Sequence, residues 1–429
     1  MRSRRAQALC MFAVLATAAA AFALRARSVG TRQAWDVFNV QVMNEEFCDL
    51  HHVASTIACS KLEPKQSLYD CKRGAPYNYP RIVAYSLRAL GLDEPSAGSF
   101  GWCVVGMGVF CLVCVVWHCR GRLGLLSSLL LIAPPVTFGL CRANTDVIVF
   151  CGIAITCILA ERWKRASEWL LAVGALAVAM YKLFPIAGSI CVVGRRGKTG
   201  VVLLLAVTLL FGAYLFLERD TLPQIWHNTP RGMVGRAYGL NVFPDNSALL
   251  LLRFLRSKGH SLEDLRSSHS RPIPSKDLAR LTYVARVAWY SLLVALTVVI
   301  ARSTPRVASW AGNDAWLAAY LFGACVFVAT WALTRSYDYR LIFLSLTYPR
   351  MTMEAKATDR RTWRITIWAG LIAMFLSGLQ VIEGSGIDEL PLAWVWCFHL
   401  VNLCTWCVHR SFNAGASRPR MLGRPCECG

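Results

Sequence analysis

Phe100–His118 reads FGWCVVGMGVFCLVCVVWH, a run without a single Asp, Glu, Lys or Arg. Its length matches the roughly 20 helical residues that span a hydrocarbon layer. Lipid offers the backbone no hydrogen-bond partners, so such a run must be a helix. Working outward, Ala8–Leu24, Val147–Ala160, Val201–Leu217, Val287–Ile300, Ala315–Leu333, Ile365–Val381 and Leu392–Val408 read the same way. The expectation is an all-α polytopic membrane protein with about 10 to 12 transmembrane or half-membrane helices.

Composition agrees. The 429 residues are 55% hydrophobic and 17% charged, more apolar and less charged than a soluble domain. The formal charge of +21 invites a nucleic-acid reading, which its distribution excludes. Basic residues cluster between apolar blocks, at Arg2/Arg4/Arg5, Arg120/Arg122, Arg162/Lys164/Arg165, Arg195/Arg196/Lys198, Arg302/Arg306, Arg360/Arg361/Arg364 and Arg410/Arg418/Arg420/Arg424. Such clusters stay cytoplasmic and meet anionic lipid headgroups. The expected partners therefore include membrane lipids and no nucleic acid. Residues 1–410 read as one integral membrane domain with both ends cytoplasmic. Its two larger extracytoplasmic loops are 25–98 and 218–283, and 411–429 reads as a disordered tail. The first apolar block is taken as an uncleaved helix, because Arg25 and Arg27 follow only after a full span.

Most cysteines fall in apolar blocks, where they act as small hydrophobes. The C-x-x-C pairs Cys111/Cys114 and Cys404/Cys407 sit mid-span without matching ligand pairs, so no metal is expected. Cys48, Cys59 and Cys71 share the first loop, where one disulfide is expected and the third thiol is left free or bonded to Cys103. Gly194–Thr199 imitates a phosphate-binding loop, but Val192 stands where the first glycine is required and no strand precedes it.

Two breaks point to a site. Ala133-Pro134-Pro135 interrupts Leu123–Leu140 just before Arg142-Ala143-Asn144-Thr145-Asp146. Trp169–Val193 is interrupted at Tyr181-Lys182-Leu183-Phe184-Pro185, which keeps Arg195/Arg196/Lys198 on the inside. Broken helices at membrane depth survive only inside protein or along a cavity. Arg142, Asn144, Asp146, Lys182, Asn246, Asp338 and Arg340 all fall on one expected face, together with the first loop. Cations there suit the phosphate of a lipid-linked substrate; the bland alternative is snorkelling to the headgroups. A first-loop carboxylate could act as general base. Asp36 is one, and Glu45, Glu46, Asp49 and Asp70 compete for that role. The adjacent His51-His52 point in different directions and do not make a metal site.

The order of these features resembles glycosyltransferase family 87, within the GT-C superfamily of polyprenyl-phosphate-sugar-dependent enzymes. The resemblance spans about Trp35 to Tyr339 and is carried by five features: Asp36 after the first helix; Tyr77-Asn78-Tyr79-Pro80; the Pro-Pro bend before Arg142–Asp146; Lys182-Leu183-Phe184-Pro185; and Asn246-Ser247. Family members commonly carry Gly where this chain has Ala143, and a second Pro where it has Arg81. The resemblance implies a GT-C-like bundle transferring a hexose, often mannose, from a polyprenyl-phosphate sugar donor to a lipid or glycan acceptor. No cofactor is implied. Asp36 would be catalytic; Lys182, Arg142 and Arg340 would hold the donor phosphate. Asn144, Asp146, Tyr79, Asn246 and Asp338 would form the cavity rim. The enzyme would lie in a bacterial plasma membrane or the endoplasmic reticulum. The alternatives are a transporter or lipid-carrier flippase and a non-catalytic scaffold. Transporters pair their broken helices in related halves, whereas the breaks here lie close together with no matching half.

Overall fold

The computed structural model describes residues 2–40, 42, 45–62, 68–69, 76–164, 166–194, 197–229, 237–248, 275–303, 315–333, 336–358, 360–377, 387 and 389–413. Asp70, Cys71, Arg335, most of Ala248–Leu255 and residues 414–429 lie outside them. The principal helices are α1 (Arg2–Val29), α2 (Cys48–Leu62), α3 (Arg81–Ala89), α4 (Ala97–Trp117), α5 (Pro134–Cys141), α6 (Thr145–Arg162) and α7 (Ser167–Tyr181). They continue with α8 (Gly197–Leu217), α9 (Ser275–Ser303), α10 (Ala315–Leu333), α11 (Tyr348–Thr358), α12 (Arg361–Leu376) and α13 (Glu389–Asn413). Strand pairing among the described residues is that of Ala237–Tyr238 with Ser336–Tyr337, antiparallel.

Six helical stretches are long and apolar enough to cross a membrane: Arg4–Val29, Ala97–Trp117, Gly121–Cys141, Thr199–Leu217, Ala279–Ser303 and Glu389–Val408. Ser167–Tyr181 and Trp316–Ala332 are shorter apolar helices. The last of the six long stretches but one begins inside the range 218–283, because helical structure already starts at Ser275. Large apolar side chains on α1, α8 and α9 stay exposed, among them Phe12, Leu209 and Val294. A surface of that kind suits hydrocarbon rather than water.

The core gathers around α10. This helix packs on Phe184–Gly194, on the 3₁₀ segment Asp338–Thr347 and on α13. Tyr320, Phe327 and Trp331 are fully buried within it. The approach is close: a Cβ on Gly323 would lie 2.6 Å from the carbonyl oxygen of Phe343. At the end of α10, Glu389 accepts from Trp331 Nε1 at 2.9 Å and from the backbone N–H of Gly239 at 3.0 Å. That buried carboxylate ties α13 to α10 and to the short extended pair.

The bundle has two chemically different ends. At one, Gln7 donates to the Val116 carbonyl (2.6 Å), Arg4 lies over Trp117, and His118 stacks on Trp316 at 4.2 Å. The starts of α1 and α10 therefore meet the end of α4. From there α10 runs about 28 Å along its axis to the opposite end, where the chain turns through Ser336–Tyr337 into Asp338–Thr347.

In the first loop, Cys59 is disulfide-bonded, as expected for one of its cysteines. Cys48 and Cys103 carry free thiols.

Candidate functional site

The Pro-Pro bend is a helix start. Ala133 is extended, and Pro134 and Pro135 occupy the first positions of α5, where a missing N–H costs nothing. Three residues separate α5 from α6, and the turn is made by Ala143 at φ +45°. Asn144 then caps α6, its Oδ1 accepting from the Asp146 backbone N–H at 2.8 Å. This cap satisfies one of the orphan donors of a helix N-terminus. The tight turn presents Arg142, Asn144 and Asp146 together.

Two more segments reach this turn. The backbone N–H groups of Phe47 and Asp49 donate to the carbonyls of Cys141 and Arg142, at 2.9 and 3.3 Å. This pins the start of α2 to the end of α5. Asp49 then receives a bidentate contact from Arg142, with Nη2 at 2.6 Å from Oδ1 and Nε at 3.0 Å from Oδ2. Asn144 Nδ2 also donates to Asp49 Oδ2. The third segment is the break in the seventh helix. Lys182 leaves α7 in an extended conformation, and its Nζ comes to 2.8 Å from Asp146 Oδ1. That contact is a buried ion pair. Lys182 Nζ also donates to Asn144 Oδ1 at 3.5 Å.

Arg340 completes the cluster from the far end of the sequence, its Nε 3.3 Å from Asp146 Oδ2. Each cation also faces an aromatic ring: Lys182 over Tyr79 at 5.0 Å, Arg340 over Phe184 at 4.8 Å and Arg142 over Phe138 at 5.5 Å. Such contacts hold a cation in place with its stem desolvated. Burial pushes the Tyr79 phenol well above its ordinary value, with the Asp49 carboxylate adding to the shift. Tyr79 is therefore a neutral hydroxyl beside the charges.

The structure thus brings together Arg142, Asn144, Asp146, Lys182, Arg340 and Tyr79. It does not bring Asn246 or Asp36 into their hydrogen bonds. Asn246 is buried on the turn of helix 242–248, beside the Asp245–Arg286 pair. Asp338 is buried two residues before Arg340, at the start of the same 3₁₀ segment. Asp36 lies on a short turn, Trp35–Phe38, that packs against α5. Its carboxylate is half exposed and meets Arg25 only at 4.0 Å.

The competing first-loop acids separate by engagement. Both Glu46 oxygens are occupied, accepting from Trp35 Nε1 and Thr31 Oγ1 at 3.0 Å each. Both Asp49 oxygens are held by Arg142 and Asn144, while Glu45 points to the exterior. Sequence reasoning did not single out Asp49 as the anchor of the cluster, nor the rings of Phe184 and Phe138. No periodicity or motif marks them. It weighed His52 as a metal ligand alone; the side chain stands one turn along α2 from Asp49, with its ring nitrogens buried and without a geometric hydrogen-bond partner. Burial lowers the His52 imidazole below its ordinary value.

Five charged groups and an amide from four separated stretches of chain form one network at a single end of an apolar bundle. Desolvating such a set costs more than apolar packing of the same volume, so its presence needs a reason beyond stability. Polar clusters of this kind bind or transform charged ligands more often than they serve as glue. In comparison with known proteins, no family model, no curated protein and no solved structure matches this chain.

Proposed function

We propose that the protein is a multi-pass membrane glycosyltransferase of the GT-C type, moving a hexose from a polyprenyl-phosphate donor to a lipid or glycan acceptor. The observation that carries this reading is the convergence of Arg142, Lys182 and Arg340 on Asp146, Asn144 and Asp49 at one bundle end. Guanidinium and ammonium groups held this way suit a phosphate that gains charge as the glycosidic bond breaks. In this reading they bind the donor phosphate, Tyr79, Asn144 and Asp146 line the rim, and the basic opposite end is cytoplasmic.

The base in this reading is Asp36. A base needs a lone pair that is not already committed, and Asp49 and Glu46 have both oxygens engaged. Asp36 takes the acceptor hydroxyl proton as that oxygen attacks the anomeric carbon. The lipid phosphate leaves with the bonding electron pair and is neutralised by the cations. One attack of this kind inverts the anomeric configuration.

The test is transfer of label from radioactive polyprenyl-phosphate-mannose into lipid and glycan fractions. Membranes with the normal chain are compared with Asp36→Ala and Lys182→Ala at equal expression. Loss in both variants supports the reading. No transfer by the normal chain from any lipid-phosphate sugar refutes it and directs attention to a transporter or flippase.

A further inference from the structure

A second polar assembly lies in the bundle, away from the charged cluster and unrelated to it. His399, Asn402 and Trp406 are buried on α13 at successive turns of one face. His399 Nε2, Asn402 Oδ1 and Trp406 Nε1 have no hydrogen-bond partner. Thr362 Oγ1, at the start of α12, is likewise buried without one. Two contacts place it alongside: Trp394 Nε1 donates to Thr366 Oγ1 at 3.1 Å, and Trp363 packs edge-on to Phe398 at 4.8 Å. The antiparallel register that these fix sets Thr362 level with the Phe398–Asn402 turn.

These groups are chemically complementary yet do not reach one another. Tyr320 Oη lies 3.1 Å from His399 Nδ1. When that hydroxyl donates, the imidazole proton sits on Nε2, which becomes a donor like Trp406 Nε1. Asn402 Oδ1 is an acceptor, because its Nδ2 already donates to the Phe398 carbonyl at 2.8 Å. The spacing is that of a bridge. Positions three and four residues apart on a helix are separated by about 4.5 and 6 Å along the axis. Two hydrogen bonds of about 2.8 Å through one oxygen span a similar gap. All four atoms are buried and unpartnered, and the small molecule that both donates and accepts, and so can serve donors and acceptors together, is water.

We propose that the junction where α13 meets both α10 and α12 is a water-binding site, with ordered water linking His399, which packs on Tyr320 and Phe327 of α10, to Asn402, Trp406 and Thr362. The junction makes α13 a hydrated element of the bundle, independent of whether the charged cluster transfers sugar. Unpaired polar atoms in hydrocarbon are costly, and water here satisfies donors and acceptors on two helices at once.

The experiment is X-ray hydroxyl-radical footprinting of the full chain in lipid nanodiscs, read by mass spectrometry. Radicals formed from bound water label the residues around it even where bulk solvent has no access. Trp289 and Trp331 are internal controls: both are buried, and their Nε1 atoms donate to Leu240 and Glu389. Trp406 is expected to be labelled several-fold more than either control. Labelling of Trp406 no greater than that of the controls overturns the proposal. Asn402→Leu removes the acceptor and is expected to return Trp406 to the control level while the controls stay protected. Unchanged Trp406 labelling in that variant means transient opening rather than bound water, and also overturns it. Where the variant does not fold, the measurement on the normal chain decides alone.

Discussion

Asp146→Asn keeps the shape of the carboxylate and deletes its charge, leaving Lys182 and Arg340 pointed at a neutral amide. The side chain of Asp146 is 1% exposed, against 10% for Lys182 and 16% for Arg340. At 2.8 Å and an effective dielectric near 20, the gross Lys182–Asp146 attraction is about 6 kcal/mol, largely offset by desolvation. The variant keeps the desolvation of both cations and loses the attraction, so the expected loss is about 3–5 kcal/mol. Lys182→Met is milder, at about 1–3 kcal/mol, because Asp146 keeps Arg340. The double variant removes one charge of each sign, and the cycle is expected to give a coupling of about 1–3 kcal/mol. Reversible denaturant unfolding in mixed micelles, followed by tryptophan fluorescence, measures all four corners. An Asp146→Asn loss below about 1 kcal/mol would match a solvated surface pair and would refute the buried-network reasoning.

The other expectations concern separate links in the argument. Asp36→Asn should abolish sugar transfer while shifting unfolding by less than about 0.5 kcal/mol, since its ion pair with Arg25 is loose and half exposed; a large stability loss would show a structural role instead. Ala143 holds φ +45°, so Ala143→Gly should be neutral or slightly stabilising and Ala143→Val should cost about 1–3 kcal/mol in the same unfolding assay. Gly323→Ala places a methyl against the Phe343 carbonyl, a backbone atom that cannot rotate away, and should cost about 1–3 kcal/mol. His52 is lowered by burial, so the unfolded chain takes up the proton first. Stability from this group is full above about pH 6.5 and is lost as pH falls below it. His52→Gln should flatten the decline between pH 7 and 5, and an unchanged slope would show that His52 is solvated.

The site was partly legible. Pro185 after Lys182 and the paired prolines before Arg142 mark interruptions through local chemistry, since proline lacks an N–H and restricts the residue before it. Asn144 as a helix cap follows from its type and its place before an apolar run. The partners of these residues were not legible. Nothing in the first loop distinguishes Asp49, held on both oxygens, from Asp36, which is half exposed; the difference arises because α2 docks on the end of α5. Arg340 reaches Asp146 across 194 positions of sequence, and no local signal encodes such a distance.

The sequence by itself determined the helical class, the apolar blocks, the two interruptions and the segregation of basic residues into short clusters. These follow from interactions within a few residues: the backbone hydrogen bonds that an apolar run makes within itself, and the exclusion of charge from such runs. Only the tertiary structure decided which carboxylate each cation meets, which acids are engaged, and which polar atoms of α13 are left to a shared seam. Those outcomes depend on close packing between distant segments, where a shift of one helical turn exchanges every partner.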